Sequence, residues 1–172
     1  TYKISMLCKE IAERFCSFYA EAVVAPAIGG VILSQWVAYY LSKIVGHEVL
    51  SLYAEKTEDA PVFVIKRGYE KIIPRKRILL VEDVLTTGGS VKRVVDVVRS
   101  LGGEPVGLGV LCNRGNITPQ DVGGIPKISA LVNVQLESWE EAECPLCAQG
   151  VPINLSVGKG MEFMTRKEMD SK

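Results

Sequence analysis

The strongest structural signal in the chain is the segment Ile78-Leu79-Leu80-Val81-Glu82-Asp83-Val84-Leu85-Thr86-Thr87-Gly88-Gly89-Ser90. The segment from Arg77 to Glu82 contains the continuous apolar run Ile78-Leu79-Leu80-Val81, which is typical of a central parallel strand because such a strand is buried on both faces. Hydroxyl-bearing residues and glycines follow, and from Val91 to Leu101 the apolar residues recur at helical spacing. The stretch therefore predicts a strand, a loop and the N-terminus of a helix.

Strands and helices alternate on both sides of this stretch. The pattern predicts helices around Ile4 to Phe15 and Val31 to Val45, and strands at Ala22 to Ala25, Glu48 to Ala54, Pro61 to Ile65, Pro105 to Cys112 and Ile128 to Val134. Such alternation indicates an α/β fold with a central, mostly parallel sheet flanked by helices. We expect one domain over residues 1–172, with an irregular tail over 150–172.

The composition excludes several classes of protein. With 172 residues, 48% of them hydrophobic and 23% charged, the chain can bury a sizeable core and is not disordered. Its formal net charge is +0, whereas general nucleic-acid binders carry a basic excess, so we expect no nucleic-acid partner. The apolar run from Val23 to Leu33 is broken by Pro26 and glycines and is too short to span a bilayer, and no signal peptide is visible. The five cysteines indicate a reduced, cytoplasmic protein.

Two adjacent carboxylates, Glu82 and Asp83, stand at the predicted end of the central strand. The loop after them carries hydroxyls at Thr86, Thr87 and Ser90 and leads into a helix, whose free backbone N–H groups favour phosphate. Carboxylates beside a phosphate cradle suit the hydroxyls of a sugar, so the stretch predicts a site for a ribose 5-phosphate. The alternative is an ordinary turn in which Asp83 and Ser90 merely cap the helix.

The whole string from Ile78 to Ser90 resembles the phosphoribosyl-diphosphate (PRPP) signature of the type I phosphoribosyltransferases. Further segments are similar to the orotate phosphoribosyltransferases in particular. They are Ala25–Gly30, like the pyrophosphate loop; Tyr53–Lys56 and Lys66–Tyr69, like the flanks of the mobile catalytic loop; Cys112–Arg114, like a strand end that carries an arginine; and the C-terminal segments Glu143–Cys147 and Gly150–Pro152. The resemblance extends from about Tyr2 to Gly160.

The resemblance implies a Mg²⁺-dependent attack of a base, most simply orotate, on PRPP, with pyrophosphate as the leaving group. It implies that Glu82 and Asp83 hold the ribose hydroxyls and stabilise positive charge on the ring. The other implied site residues are Val84, Leu85, Thr86, Thr87, Gly88, Gly89 and Ser90 for the 5-phosphate; Ala27, Ile28, Gly29, Gly30 and Lys56 for pyrophosphate; Lys66, Arg67 and Lys71 for closure over the leaving group; and Arg114 for the orotate carboxylate. No direct protein ligand of the metal is expected, since Mg²⁺ near Glu82 and Asp83 would be held through PRPP and water.

The resemblance also implies the phosphoribosyltransferase fold and a homodimer. Orotate enzymes of this type carry an N-terminal hood upstream of the first helix, and with the sequence beginning at Thr1 we expect this hood to be largely absent. Two other functions stay open. One is a purine-type phosphoribosyltransferase. A purine carries no carboxylate, so Arg114 would have no carboxylate to bind in such an enzyme. The other is a regulator that senses PRPP or nucleotides without turnover.

Three smaller features have alternative interpretations. Cys144 and Cys147 have three interpretations: half of a zinc site, a redox pair, or a packed pair that stabilises a loop. We favour the last. The basic run from Lys71 to Arg77 is either a nucleic-acid patch or, as we favour, a solvated loop. Arg114 is either a carboxylate ligand or an ordinary surface arginine.

Overall fold

The computed structural model describes residues 1–57, 62–137, 139–158 and 160–170. The chain divides into two compact units, Thr1–Leu136 and Glu137–Lys172, and each is described by itself. The expectation of one domain over residues 1–172 stays a prediction. The first unit contains α1 (Tyr2–Phe15), β1 (Ala22–Pro26), α2 (Gly29–Val45), β2 (Leu50–Lys56), β3 (Phe63–Val64), β4 (Arg77–Leu85), α3 (Gly89–Ser100), β5 (Glu104–Asn113) and β6 (Ile128–Asn133).

The strands form one sheet in the order β3-β2-β1-β4-β5-β6. All neighbouring strands pair in parallel except β3, which is antiparallel to β2. The predicted mostly parallel α/β fold is therefore confirmed. The predicted strand from Pro61 to Ile65 is observed only at Phe63–Val64, and Pro61 lies outside the described residues.

The central strand β4 explains why its sequence is apolar without interruption. Ile78 and Leu80 pack into the core beside α3, whereas Leu79 and Val81 pack into the core beside α1 and α2. Because successive side chains of a strand point to opposite faces, a strand with helices on both faces must be apolar at every position. This strand continues past the predicted Glu82 to Leu85, so both carboxylates belong to the strand itself.

Glycines in β5 allow α1 to approach the sheet closely. A Cβ atom at Gly107 would lie 2.5 Å from Cε1 of Phe15, and one at Gly109 would collide with Ile11. Both helix residues are fully buried. The close contact fixes α1 against the outer half of the sheet, where the predicted helix around Ile4 to Phe15 is confirmed.

The second unit contains a 3-10 turn at Glu141–Glu143 and two helices, α4 (Pro145–Ala148) and α5 (Gly160–Asp170). The helix α5 corrects the expectation of an irregular tail for residues 160–170, whereas residues 151–158 contain neither helix nor strand. Contacts between residues three and four apart accompany it, including Arg166 and Lys167 over the ring of Phe163. The sequence of this helix is mostly polar and has no apolar stripe at helical spacing. For this reason the periodicity did not predict the helix. Among the described residues, no helix has both the length and the apolar character needed to cross a membrane.

Candidate active site

The predicted site segments converge on the edge of the sheet where the parallel strands end. Residues 27–30 follow β1, Lys56 ends β2, Glu82 and Asp83 lie near the end of β4, and Arg114 follows β5. The strand order also reverses between β1 and β4, since β2 and β3 lie on one side and β5 and β6 on the other. Open α/β sheets bind ligands at such a switch point, outside the carboxyl ends of the strands.

The two carboxylates at the end of β4 differ in their surroundings. Glu82 is buried, with 9% of its surface exposed, and its Oε1 accepts the N–H of Asp83 at 3.0 Å. Asp83 is exposed, and its Oδ1 accepts the N–H of Val84 at 2.6 Å. The pair therefore presents one carboxyl in a dry environment and one at the surface of the cleft.

This difference changes the protonation of Glu82. Burial raises the pKa of Glu82 to about 8; the N–H of Asp83 lowers it, while the hydrogen bond and charge of the Asp83 carboxylate raise it. At neutral pH the Glu82 carboxyl is therefore largely protonated and can donate a hydrogen bond, whereas the exposed Asp83 accepts. A hydroxyl of a sugar can use both kinds of partner.

The segment from Glu82 to Val91 lines a cavity of about 260 Å³. The helix α3 begins at Gly89, and in the described structure no side chain caps it. The alternative in which Asp83 and Ser90 act as ordinary caps is therefore wrong. The N–H of Gly89 donates to Oγ1 of Thr87 at 3.4 Å. The other N–H groups of the first helical turn have no partners within a helix, which favours an anion beside them.

The conformation of this loop depends on Gly88. Its φ of +73° lies in the left-handed region, and a Cβ atom there would approach Cγ1 of Val122 to 2.9 Å. Both constraints favour glycine. The loop is thus held against the segment that follows β5.

The loop after β1 lies beside Asp83. A Cβ atom at Gly29 would be 3.0 Å from Oδ2 of Asp83, and one at Gly30 would be 2.7 Å from Cβ of Ala25. The peptide between Ala27 and Ile28 is cis. The helix α2 begins at Gly29, two residues before the predicted start, and in the described structure it also lacks a side-chain cap. Two uncapped helix N-termini therefore flank the switch point.

A second cavity, of about 690 Å³, adjoins the loop after β1. It is lined by Ala27, Ile28, Val31, Ile32, Tyr53, Glu55, Lys56 and Arg67. Nε of Arg67 lies 2.7 Å from Oε1 of Glu55, and this ion pair raises the pKa of Arg67. The structure thus brings Lys56 and Arg67, predicted from separate segments, to the predicted pyrophosphate loop. Lys66 and Lys71 are exposed and line neither of these two cavities.

The basic run from Lys71 to Arg77 is not one continuous surface. Lys76 pairs with Glu21 at 3.0 Å. Arg77 donates to the carbonyl oxygen of Phe18 and to the carboxylate of Glu104. These contacts lie where β4 begins, at the edge of the sheet opposite the cavities. At its end the run therefore contains cations that are partnered within the fold, and the solvated loop stays a prediction for the part before Lys76.

Arg114 stands at the predicted edge. Its backbone N–H donates to the carbonyl oxygen of Leu85 at 2.9 Å, so the end of β5 is tied to the end of β4. The neighbouring Gly115 packs directly against the carbonyl of Thr86, because a Cβ atom there would collide with that oxygen. The side chain of Arg114 is half-buried and does not line the 260 Å³ cavity.

The sequence analysis missed the role of Asn113 in shaping this edge. Its side-chain amide donates to the carbonyl of Ile117 at 2.9 Å and accepts the N–H of the same residue at 3.0 Å. Ile117 in turn approaches Gly88. The only signal in the sequence is an amide at the end of an apolar strand, which does not reveal its partner.

Comparisons with known proteins agree with this geometry. A family model described as "Phosphoribosyl transferase domain" matches residues 4–141. The orotate phosphoribosyltransferase of Caldanaerobacter subterraneus subsp. tengcongensis is 42% identical over 147 residues, which cover 84% of this chain and 70% of that protein.

Solved structures with the same fold include enzymes of two kinds. The adenine phosphoribosyltransferase of Thermoanaerobacter pseudethanolicus matches with a TM-score of 0.61 at 19% identity, over 76% of this chain and 80% of that one. The orotate phosphoribosyltransferase of Aeropyrum pernix matches with a TM-score of 0.59 at 22% identity, over 77% and 70%. At these identities the likeness concerns the fold and does not distinguish between bases.

Proposed function

Because the chain belongs to the phosphoribosyl transferase family, we propose that it is a pentosyltransferase that transfers the phosphoribosyl group of PRPP to orotate. The products are orotidine 5'-phosphate and pyrophosphate, and the reaction belongs to pyrimidine biosynthesis. The observation that carries the proposal is the cavity lined by Glu82 to Val91, which joins two carboxyls to an uncapped helix N-terminus at the switch point. The relative at 42% identity supports orotate as the acceptor.

The 5-phosphate of PRPP binds in the loop before α3. The N–H groups of the first turn of α3 donate to its oxygens, and hydroxyls of Thr86, Thr87 and Ser90 add further donors. Helix N-termini favour anions because their free N–H groups and the aligned peptide dipoles point outward. Val84, Leu85, Gly88 and Gly89 supply backbone around the same cavity.

The ribose binds beside Glu82 and Asp83. The buried Glu82 donates a hydrogen bond to one sugar oxygen, and the exposed Asp83 accepts from a hydroxyl. As pyrophosphate departs, positive charge develops on the ring, and the negative Asp83 carboxylate stabilises that charge. Catalysis of this kind depends on fixed groups that favour the transition state over the ground state.

Pyrophosphate binds at the start of α2. The backbone of Ala27 to Gly30 approaches it, and Lys56 and Arg67, which line the same cavity, neutralise its charge. Lys66 and Lys71, in the exposed segment around Arg67, close over the leaving group. Arg114, at the end of β5, pairs with the carboxylate of orotate through two parallel N–H bonds.

Mg²⁺ is part of the proposed reaction. Among the described residues, no three or more histidine, cysteine, aspartate or glutamate side chains cluster to hold a metal ion. The exposed Asp83 carboxylate beside the phosphate cradle nevertheless fits Mg²⁺ that is held through oxygens of PRPP and through water, since the ion keeps several waters when it binds substrate phosphates. When bound, the ion neutralises charge on the diphosphate.

We also propose that the chain is a homodimer and works in the cytoplasm. Along α2, apolar side chains outside the pyrophosphate cavity remain exposed, with 45% of Tyr39 and 44% of Ile44 accessible. A second copy of the chain would cover these side chains, and Tyr39→Glu is expected to produce monomers in light scattering. All five cysteines are free, as is usual in the cytoplasm.

A steady-state assay with PRPP, Mg²⁺ and a panel of bases tests the proposed function through the release of pyrophosphate. Turnover with orotate and none with adenine or guanine is expected. Turnover with a purine alone would replace orotate as the acceptor. Binding of PRPP in calorimetry with no turnover for any base would instead identify a sensor of PRPP.

A further inference from the structure

A pair of cysteines in the second unit has no part in the proposed reaction. Cys144 immediately precedes α4, and Cys147 lies within it. Residues three apart in a helical turn lie on the same side of that turn. The backbone N–H of Cys147 donates to Sγ of Cys144 at 3.4 Å, so the turn brings the two residues into direct contact.

The two cysteines differ in exposure and in the pKa of their thiols. Cys144 is half-buried and Cys147 is exposed. Hydrogen bonds from the backbone N–H of Cys147, from its thiol and from the N–H of Leu146 lower the pKa of Cys144. The pKa of Cys147 is raised, first by its hydrogen bond to Cys144 and further by burial and by the charges of Cys144 and Glu141. One sulfur is therefore disposed to attack as the thiolate while the other holds a proton.

The other cysteines lack this combination. Cys8 is fully buried in α1, and burial raises its pKa to about 11. Cys16 and Cys112 are half-buried, each in a different element of the first unit. A zinc site is also not supported, because a tetrahedral site needs four ligands and the described residues offer no group of three.

We propose that Cys144 and Cys147 are a reversible oxidation site, at which a low-molecular-weight disulfide converts the two thiols into an intramolecular disulfide. The Cys144 thiolate attacks one sulfur of the external disulfide, forms a mixed disulfide and releases one small thiol. Cys147 loses its proton to solvent, and its sulfur displaces the second small thiol from Cys144. Two protein thiols are oxidised, and one external disulfide is reduced to two thiols.

The full-length chain can be tested in buffers of reduced and oxidised glutathione at graded ratios. Samples are quenched in acid, alkylated and digested with trypsin. No lysine or arginine lies between Cys144 and Cys147, so both remain on one peptide. We expect that peptide to become lighter by two hydrogen atoms and to resist alkylation, while the peptides of Cys8, Cys16 and Cys112 stay alkylated.

Single variants separate the attacking sulfur from the resolving one. Cys147→Ser is expected to accumulate a mixed disulfide of glutathione at Cys144. Cys144→Ser is expected to form one at Cys147 severalfold more slowly, because less of that sulfur is thiolate. The control Cys112→Ser is expected to leave the oxidation of the pair unchanged.

Three outcomes would overturn the proposal. The first is that the wild-type chain collects glutathione on both sulfurs without forming the intramolecular bond. The second is that the pair reacts no sooner than Cys16 and Cys112. The third is that added Zn²⁺ is retained in stoichiometric amount and protects the pair from alkylation, which would make it a metal site.

Discussion

The proposed site consists of two regions that are built in different ways. The phosphate side, from Glu82 to Val91, is one continuous segment that passes from a strand into a helix. The pyrophosphate side combines the loop after β1 with Lys56 and Arg67, which come from separate parts of the chain. The first region is fixed by backbone geometry at a buried strand. The second depends on exposed side chains, of which Arg67 forms an ion pair with Glu55.

The two halves of the site are therefore held in different ways, one by packed backbone and the other by exposed side chains. The phosphate side is held by β4, by the left-handed Gly88 and by the segment after β5. On the other side, 63% of the side chain of Arg67 is exposed, so its ion pair contributes little. We predict that the phosphate side positions the sugar, and that the exposed segment around Arg67 admits PRPP and then closes.

The largest effect is expected on the phosphate side. The double variant Glu82→Gln, Asp83→Asn should have a lower kcat/KM, corresponding to an activation free energy that is higher by about 3 kcal/mol. The reason is that the variant loses charge that stabilises the transition state. Steady-state kinetics measure it, with the exposed Asp96→Asn on α3 as the control. Turnover equal to that of the wild type would show that these carboxyls do not act in the reaction.

The next effect concerns Arg114, which reaches the same edge from β5. Arg114→Lys should weaken orotate binding by about 2 kcal/mol, because one bond replaces a charged bidentate contact, and should leave PRPP binding nearly unchanged. Calorimetry with each ligand separates the two effects, and Arg93→Lys on α3 serves as the control. Equal weakening of both ligands, or none, would remove Arg114 from the base site.

The buried carboxyl predicts a pH dependence of stability. In the folded chain Glu82 keeps its proton up to about pH 8, whereas in the unfolded chain it loses the proton near its ordinary value of 4.5. The unfolded state then binds fewer protons, so the free energy of unfolding falls as pH rises through this window.

Glu82→Gln should abolish this fall and stabilise the protein at about pH 8 by on the order of 1–2 kcal/mol. Denaturant unfolding at several pH values measures the effect, and Asp96→Asn should retain the wild-type slope. An identical slope in Glu82→Gln would mean that Glu82 is charged in the folded protein.

The smallest effects are expected on the pyrophosphate side. Trypsin should cleave after Lys66, Arg67 and Lys71 more slowly when PRPP and Mg²⁺ are present, because closure orders this segment. Cleavage at the same rate with and without PRPP would contradict a closing loop.

The Arg67–Glu55 ion pair should contribute little to stability. Glu55→Gln removes this exposed ion pair, so it should change the free energy of unfolding by no more than about 0.5 kcal/mol.

Much of the fold was predictable because its signals are local. The uninterrupted apolar run of β4 required helices on both faces, and α1 and α3 appear where the spacing indicated them. The phosphate side was equally accessible to prediction, since Glu82 to Ser90 are consecutive and their loop is defined by its own glycines and hydroxyls. The helix α5 was missed because its sequence is mostly polar and has no apolar stripe at helical spacing.

The α/β class, the central strand and the consecutive residues that line the 260 Å³ cavity could thus be read from the sequence alone. The burial of Glu82 beside the exposed Asp83, the contact of Asp83 with Gly29 and the approach of Arg67 to Lys56 came from the tertiary structure. The physical reason is that strand and helix patterns arise from neighbours along the chain. Burial, and contact between loops of different strands, depend on how the sheet brings distant segments to one edge.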